Sequence, residues 1–323
     1  MGGSGSGGPF AGGRTPDRLA KLVRDAEQKN SSAEFNAALA QTLNGLLSEL
    51  ARDVDLVRDR LTTIEDSLSG VLEQSLDQLF GGSVAKHTYV DGLSDVDTLL
   101  LINETGLENK KPNEVLQHLA SILQKDLGNE VRVSHGDMAV TVTFPSGPEC
   151  PNDMDIQLLP AIKMGNGHRI PSSRRPNEWS HVIDPESFQK ALTRRNEQCG
   201  MKLIPVIKLA KAIIGNLPES QRLSGYHIES LAISAFKHYD GDKTTSAMVP
   251  FFFEKAKNLV LSPIKDKTGQ SIHVDDYLGA ENSEQRIAAS HIIGRIGRRM
   301  LNATAAESIA QWNDLFGLAL SND

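Results

Sequence analysis

The sequence predicts an α+β protein of two lobes, with strands in the first lobe, helices alone in the second and a long helix ahead of both. Three observations point there. Apolar residues recur at steps of three and four from Phe35 through Leu39, Leu43, Leu46, Leu50, Val54, Val57, Leu61 and Ile64 to Leu68, the period of an amphipathic helix. Between residues 95 and 160 short strand-like runs surround a single helical pattern, and 139–144 reads Ala-Val-Thr-Val-Thr-Phe, the alternation of a half-buried strand. The second half of the chain carries helical patterns only. A chain of 323 residues is long enough to bury a sizeable core and to divide into two lobes.

Each element follows from its residues. Positions 1–14 are rich in Gly and Ser and read as a flexible leader that cannot bury enough to order itself. Thr15-Pro16-Asp17 puts a cap before a proline of the first turn, a helix start. After a break at Asn30-Ser31-Ser32 the apolar stripe reads as one spine helix of about nine turns, packed across both lobes; regular charge pairs that would favour a coiled coil are lacking. A shorter helix is expected over Val71–Phe80, then a strand over Asp95–Ile102. Next come a helix over 113–126, strands over 130–134 and 138–144, and a strand over 153–160 ended by Pro160. The helical lobe holds a helix over 202–214, another entered through Leu223–Ala232, a core run Pro250–Phe253, the basic helix Ser283–Leu301 and a last one over Ala305–Phe316. The organisation expected is a leader (1–14), the spine with the strand-bearing core (15–165), and the helical lobe (166–323).

Composition excludes several classes. With 34 Lys and Arg against 41 Asp and Glu the net charge is −7, a field that repels nucleic acid polymers, so double-stranded DNA is not an expected partner. Two cysteines, Cys150 and Cys199, are too few for a disulfide scaffold or zinc ribbon and fit a reducing cytoplasm. No apolar run approaches the ~20 residues of a membrane span.

The chemistry concentrates in Gly81-Gly82-Ser83, followed after a short spacer by Asp95-Val96-Asp97 and the apolar run Thr98-Leu99-Leu100-Leu101-Ile102. Alternation on a strand points Asp95 and Asp97 to one side and Val96 to the other. Like charges that close repel unless a cation lies between them, and a divalent ion shared with substrate phosphates, magnesium by its oxygen ligands, suits them. Gly82 and Ser83 leave backbone N–H groups and a hydroxyl open to phosphate oxygens.

These residues resemble the signature of the polymerase-β-like nucleotidyltransferases: Gly-Ser, a spacer, then Asp-x-Asp. The resemblance implies a mixed sheet and a third acid on a neighbouring strand, before a proline. Asp153, Asp155 and Gln157 share one face by period two, so spacing does not choose among them; Asp155 is taken as the third acid, with Asp153 the alternative. Farther on, Lys208 and Lys211 on one helix side, then Ser224-Gly225-Tyr226-His227, are similar to the helical lobe of 2′-5′-oligoadenylate synthase and cyclic GMP–AMP synthase. The likeness implies that Lys211 and Lys208 neutralise phosphate, that Ser224 hydrogen-bonds it, and that Tyr226 stacks on the base. Lys86, Gly82 and Ser83 join them as nucleotide-binding residues. Gly225 departs from the pattern, standing where a serine is common. His181 and His227 read as structural, and Arg169, Arg174 and Arg175 as loop residues.

After residue 30 the whole chain resembles a bacterial CD-NTase, nearest the clade typed G. That implies a cyclic di- or trinucleotide synthase of anti-phage (CBASS) signalling, with Asp95, Asp97 and Asp155 catalytic and metal-binding. The cofactor implied is Mg2+ with Mn2+ as substitute, the substrates ATP and GTP, and the best product cyclic GMP–AMP. An effector protein read through the product, and a CBASS accessory protein, are the partners it implies. The competing readings are transfer to a tRNA or protein acceptor, and an inactive nucleotide-binding scaffold.

Overall fold

A computed structural model describes residues 16–50, 54–69, 78–79, 96–147, 153–172, 175–269 and 272–317. The apolar stripe is carried by two helices rather than one: α1 (Pro16–Glu49) and α2 (Val54–Ser69). The expected break at Asn30-Ser31-Ser32 is absent and α1 runs through it. Ser32, which could have capped a helix, instead donates its hydroxyl to Glu307 Oε1 (2.5 Å), so a tertiary contact takes the side chain away from capping. The division near residue 50 also has a packing cause. Phe35, Leu39, Leu43 and Leu46 of α1 are buried among the helices of the second half. Val57, Leu61, Ile64 and Leu68 of α2 are buried against the sheet. One straight stripe cannot face both.

β1 (Gln78–Leu79) pairs antiparallel with β2 (Val96–Leu101), so the end of the helix expected over Val71–Phe80 is strand; 71–77 lie outside the described residues. α3 (Pro112–Leu127) follows, then β3 (Arg132–His135), β4 (Val140–Phe144), β5 (Met154–Met164) and β6 (Gly167–Arg169). The strand order is β1-β2-β5-β4-β3, with β6 bonded to the far end of β5. β2 and β5 run parallel, whereas the β3–β4, β4–β5 and β5–β6 pairs are antiparallel, which makes the sheet mixed. On one face Leu100, Ile102, Val140, Val142, Ile156 and Leu158 are buried under α2 and α3.

Pro160 does not end its strand. It pairs in register with Leu100 inside β5. Ile102 N–H donates to Ala161 C=O, so residue 161 faces β2 and residue 160 faces the opposite side. There β4 has already stopped at the Val140–Leu158 pair, and the missing proline N–H deprives no partner.

The second half is helical: α4 (Pro185–Gln198), α5 (Leu203–Gly215), α6 (Gly225–Ala235), α7 (Thr245–Leu259), α8 (Glu284–Ala305) and α9 (Ile309–Leu315). Their core is rich in aromatic side chains, with Phe188, Phe236, Phe252, Phe253 and Trp312 all buried. No described helix is long and apolar enough to cross a membrane.

Candidate active site

Register builds the first part of the site. The parallel pairing sets Asp97 beside Gln157, and β4 sets Thr141 beside Gln157 and Thr143 beside Asp155. Paired residues share a face, so positions 97, 141, 143, 155 and 157 all lie opposite the helix-covered core. Farther along that face it turns apolar, with Leu99, Leu101, Leu159 and Ala161 packed on Ile170 and Ile183. The polar end is where both parallel strands begin.

Asp155 is exposed, and its Oδ1 accepts a hydrogen bond from the Thr143 hydroxyl (2.6 Å). Asp153 lies on the same face but is tied on both oxygens, by the Ser146 N–H (2.9 Å) and by the Arg132 guanidinium. The Ser146 N–H and then Arg132 hold its carboxyl below the ordinary carboxylate range. Asp155 thus keeps an oxygen with no protein partner among the described residues, and Asp153 does not. Asp97 is placed by its strand. Asp95, Gly82, Ser83 and Lys86 lie outside the described residues, and among the described residues no group of three His, Cys, Asp or Glu side chains is gathered for a metal. The donors that do gather are carboxylate, hydroxyl and amide oxygens, a set that fits a hard divalent cation.

The second part lies where α5 meets the start of α6. Lys208 and Lys211 are one turn apart. Lys208 is half-buried, and burial, then repulsion from Lys211, lowers its ammonium pKa. Lys211 is only 4% exposed and its Nζ donates to Glu229 Oε1 (2.8 Å), itself 1% exposed, so its charge is already compensated within the protein. Gly225 fits closely over it: a Cβ there would lie 3.4 Å from Lys211 Cε and Nζ. Ser224 caps α6, its Oγ accepting from His227 N–H (3.2 Å), while its own N–H donates to the Tyr277 hydroxyl (3.2 Å). The Tyr226 ring packs on Phe188 with centroids 4.5 Å apart, and its hydroxyl donates to Asp266 Oδ1 (2.7 Å). Burial, then the bond to Asp266, raises the phenol pKa strongly.

A buried polar chain lies behind this turn. His227 Nδ1 meets the Tyr277 hydroxyl at 2.8 Å. Its Nε2 approaches Asp275 Oδ2 at 3.4 Å, a contact without hydrogen-bond alignment, since that nitrogen has no bonded partner. Asp275 Oδ2 accepts from Arg286 Nη1 (2.6 Å). Arg286, in the basic helix read over Ser283–Leu301, is fully buried and also donates to the carbonyls of Val260, Asp275, Gly279 and Ala280. Burial pushes the His227 imidazole down to about 4, so it is neutral. Burial alone would raise Asp275, but hydrogen bonds from Arg286 and the Ile264 N–H outweigh it and hold the carboxyl low.

With this geometry the chain can be set beside known structures. The sequence matches no protein-family model and, at significant similarity, no curated protein. Among solved structures, E. coli MS115-1 CdnC with ATP is 16% identical with a TM-score of 0.61, covering 89% of this chain and 97% of its own. A STING-associated CdnE, a c-di-GMP synthase from Capnocytophaga granulosa, is 14% identical with a TM-score of 0.61, over 90% and 95%. The fold is that of the CD-NTases. Vibrio cholerae DncV, a cyclic AMP-GMP synthase in complex with a linear intermediate, extends the likeness at 11% identity, with a TM-score of 0.59 over 92% and 91%. The CD-NTase fold therefore spans sheet and helical half alike.

Sequence reading left Glu229, Asp275, Tyr277 and Thr143 unassigned. Glu229 alone left a trace, as a carboxylate among the mostly apolar residues Ile228–Ile233, where a buried charge implies a partner.

Proposed function

We propose that the protein joins nucleoside triphosphates into a cyclic oligonucleotide with release of pyrophosphate, cyclic GMP–AMP from ATP and GTP being the product favoured. The observation carrying this reading is the open polar face that holds positions 97 and 155 at the start of two parallel strands, in a fold that the solved cyclases share over most of its length. Asp95, Asp97 and Asp155 would hold Mg2+, or Mn2+ in its place, and the bound ion supplies charge neutralisation at the phosphates and acidifies the attacking hydroxyl.

The chain's own groups do the rest. The N-terminus of α6, with the Gly225 N–H and the partial positive charge of the helix, binds the donor triphosphate, and Ser224 frames it. Lys208, half-buried and with no carboxylate partner among the described residues, supplies the ammonium. Lys211 fixes α5 to α6 through Glu229 and keeps positive charge under the turn. Tyr226 offers its ring to stack on the base, and Gly82, Ser83 and Lys86 complete the phosphate contacts. Asp155 Oδ2 orients the acceptor ribose hydroxyl and takes its proton as the oxygen attacks the α-phosphate and pyrophosphate departs. The linear product, rebound in the other orientation, closes by the same chemistry. The product would act through an effector protein in anti-phage signalling, with an accessory protein as a further partner.

The test is incubation with the four ribonucleoside triphosphates and Mg2+, with products identified by mass spectrometry. A cyclic product and pyrophosphate are expected from wild type, and neither from folded Asp97→Asn or Asp155→Asn. Full activity in either variant overturns the assignment of that residue. Transfer to added tRNA in place of a cyclic product overturns the reaction.

A further inference from the structure

The far end of α6 carries a second concentration of positive charge that the proposed reaction does not use. α6 spans 11 residues, or about 16 Å of rise, and its C-terminal end opens on a cavity of about 580 Å3. Arg194 and Arg195 of α4, Lys237 and His238 beyond α6, and Lys267 line it, and among the described residues no carboxylate does. Arg194, Lys237 and Lys267 are exposed, and their side chains have no ion-pair or hydrogen-bond partner among the described residues. The nearby acids, Asp240 and Asp242, bear on Tyr239 and are not among the residues that line the cavity. In a chain of net charge −7, such a cluster without counter-charge costs repulsion.

Two further details point to an occupant. Arg195 Nη1 donates to Gln198 Oε1 and to the carbonyls of Phe236 and Lys237, which screens the negative end of α6 that would otherwise repel an anion. Its Nε–H is buried with no hydrogen-bond partner among the described residues. The floor is apolar, from Ile233 and Phe236, and the Tyr239 ring forms one side. A cavity of this size suits a compact organic molecule.

We propose that this cavity is a binding site for a small organic polyanion: a planar apolar body seated on Phe236 and Tyr239, with two or more anionic groups reaching Arg194, Lys237 and Lys267. The proposal is independent of the cyclase reading, since none of these residues belongs to the candidate active site.

The probe is 8-hydroxypyrene-1,3,6-trisulfonate, titrated into the full-length protein at low salt and read by fluorescence anisotropy. Saturable binding is expected, weakening with added salt and falling ~10-fold or more in Lys237→Glu/Lys267→Glu. Lys208→Ala, at the other end of α6, leaves it unchanged. Circular dichroism establishes that both variants are folded. Absence of saturable binding, equal binding in Lys237→Glu/Lys267→Glu, or loss of binding in Lys208→Ala each overturns the proposal.

Discussion

Asp275→Asn is the substitution with the most to reveal about how the second half is held. The exchange keeps the shape of the side chain and removes its charge. Arg286 is fully buried, and Asp275 is the carboxylate bonded to it, at 2.6 Å; the other acceptors of its guanidinium are backbone carbonyls. The variant therefore strands a buried cation, for which ~3–5 kcal/mol is typical. If the helical half melts as a cooperative unit of roughly 150 residues or more, each kcal/mol lowers its transition by about 2–4 °C, so a fall near 10 °C is expected. Calorimetry reads it directly, since the sheet and the helical half have separate cores and can be resolved as separate transitions. A second arm guards against simple misfolding. Replacing both charges, as Asp275→Leu/Arg286→Met, removes the stranded ion and recovers much of the loss. An Asp275→Asn protein melting within a degree of wild type, or a double variant worse than the single ones added together, refutes the reasoning.

Three further outcomes follow from the same contacts. His227 is neutral in the fold, with its pKa near 4 against an ordinary 6.5, so the unfolded chain binds the extra proton first; stability is complete above about pH 6.5 and declines as pH falls toward 4, and His227→Gln flattens that window in pH-dependent melts. Gly167→Ala would put a Cβ 2.4 Å from Val182 Cγ1 and 2.7 Å from the Ile183 carbonyl oxygen, and because the carbonyl is backbone the β6 hairpin must shift, at about 1–3 kcal/mol by urea titration. Asp153→Asn leaves nucleotide turnover intact while Asp155→Asn abolishes it, measured as pyrophosphate release; equal loss in both would return Asp153 to the site.

Local pattern made much of this architecture legible. The alternation at 139–144 became β4, buried at Val140, Val142 and Phe144. The helix expected over 113–126 is α3, which buries Val115, Leu116, Leu119, Ile122 and Leu123. Spacing within an element says which side is apolar, and nothing about what lies across from it. That is why one helix was expected where the stripe serves two cores, and why Pro160 was read as a stop. Whether a proline is tolerated depends on where a neighbouring strand ends. The site shows the same limit. Lys208 and Lys211 were recognisable as neighbours, but Glu229 is 18 positions from Lys211 and only tertiary packing joins them. Asp153 and Asp155 are equivalent by period, and what separates them is the Ser146 N–H together with Arg132, on the sheet's edge strand β3.

The division of the N-terminal stripe between two cores has a consequence for biosynthesis. The segment from Val54 to Arg169 can assemble its sheet and two covering helices as soon as it leaves the ribosome. α1 emerges earlier still, yet its companions α5, α7 and α9 follow more than a hundred residues later, and the bond from Ser32 to Glu307 closes a loop of 275 positions. A helix made well before its partners is thus among the last to be docked, and its greasy side, waiting through the synthesis of the segments between, is where a nascent-chain chaperone would be expected to hold.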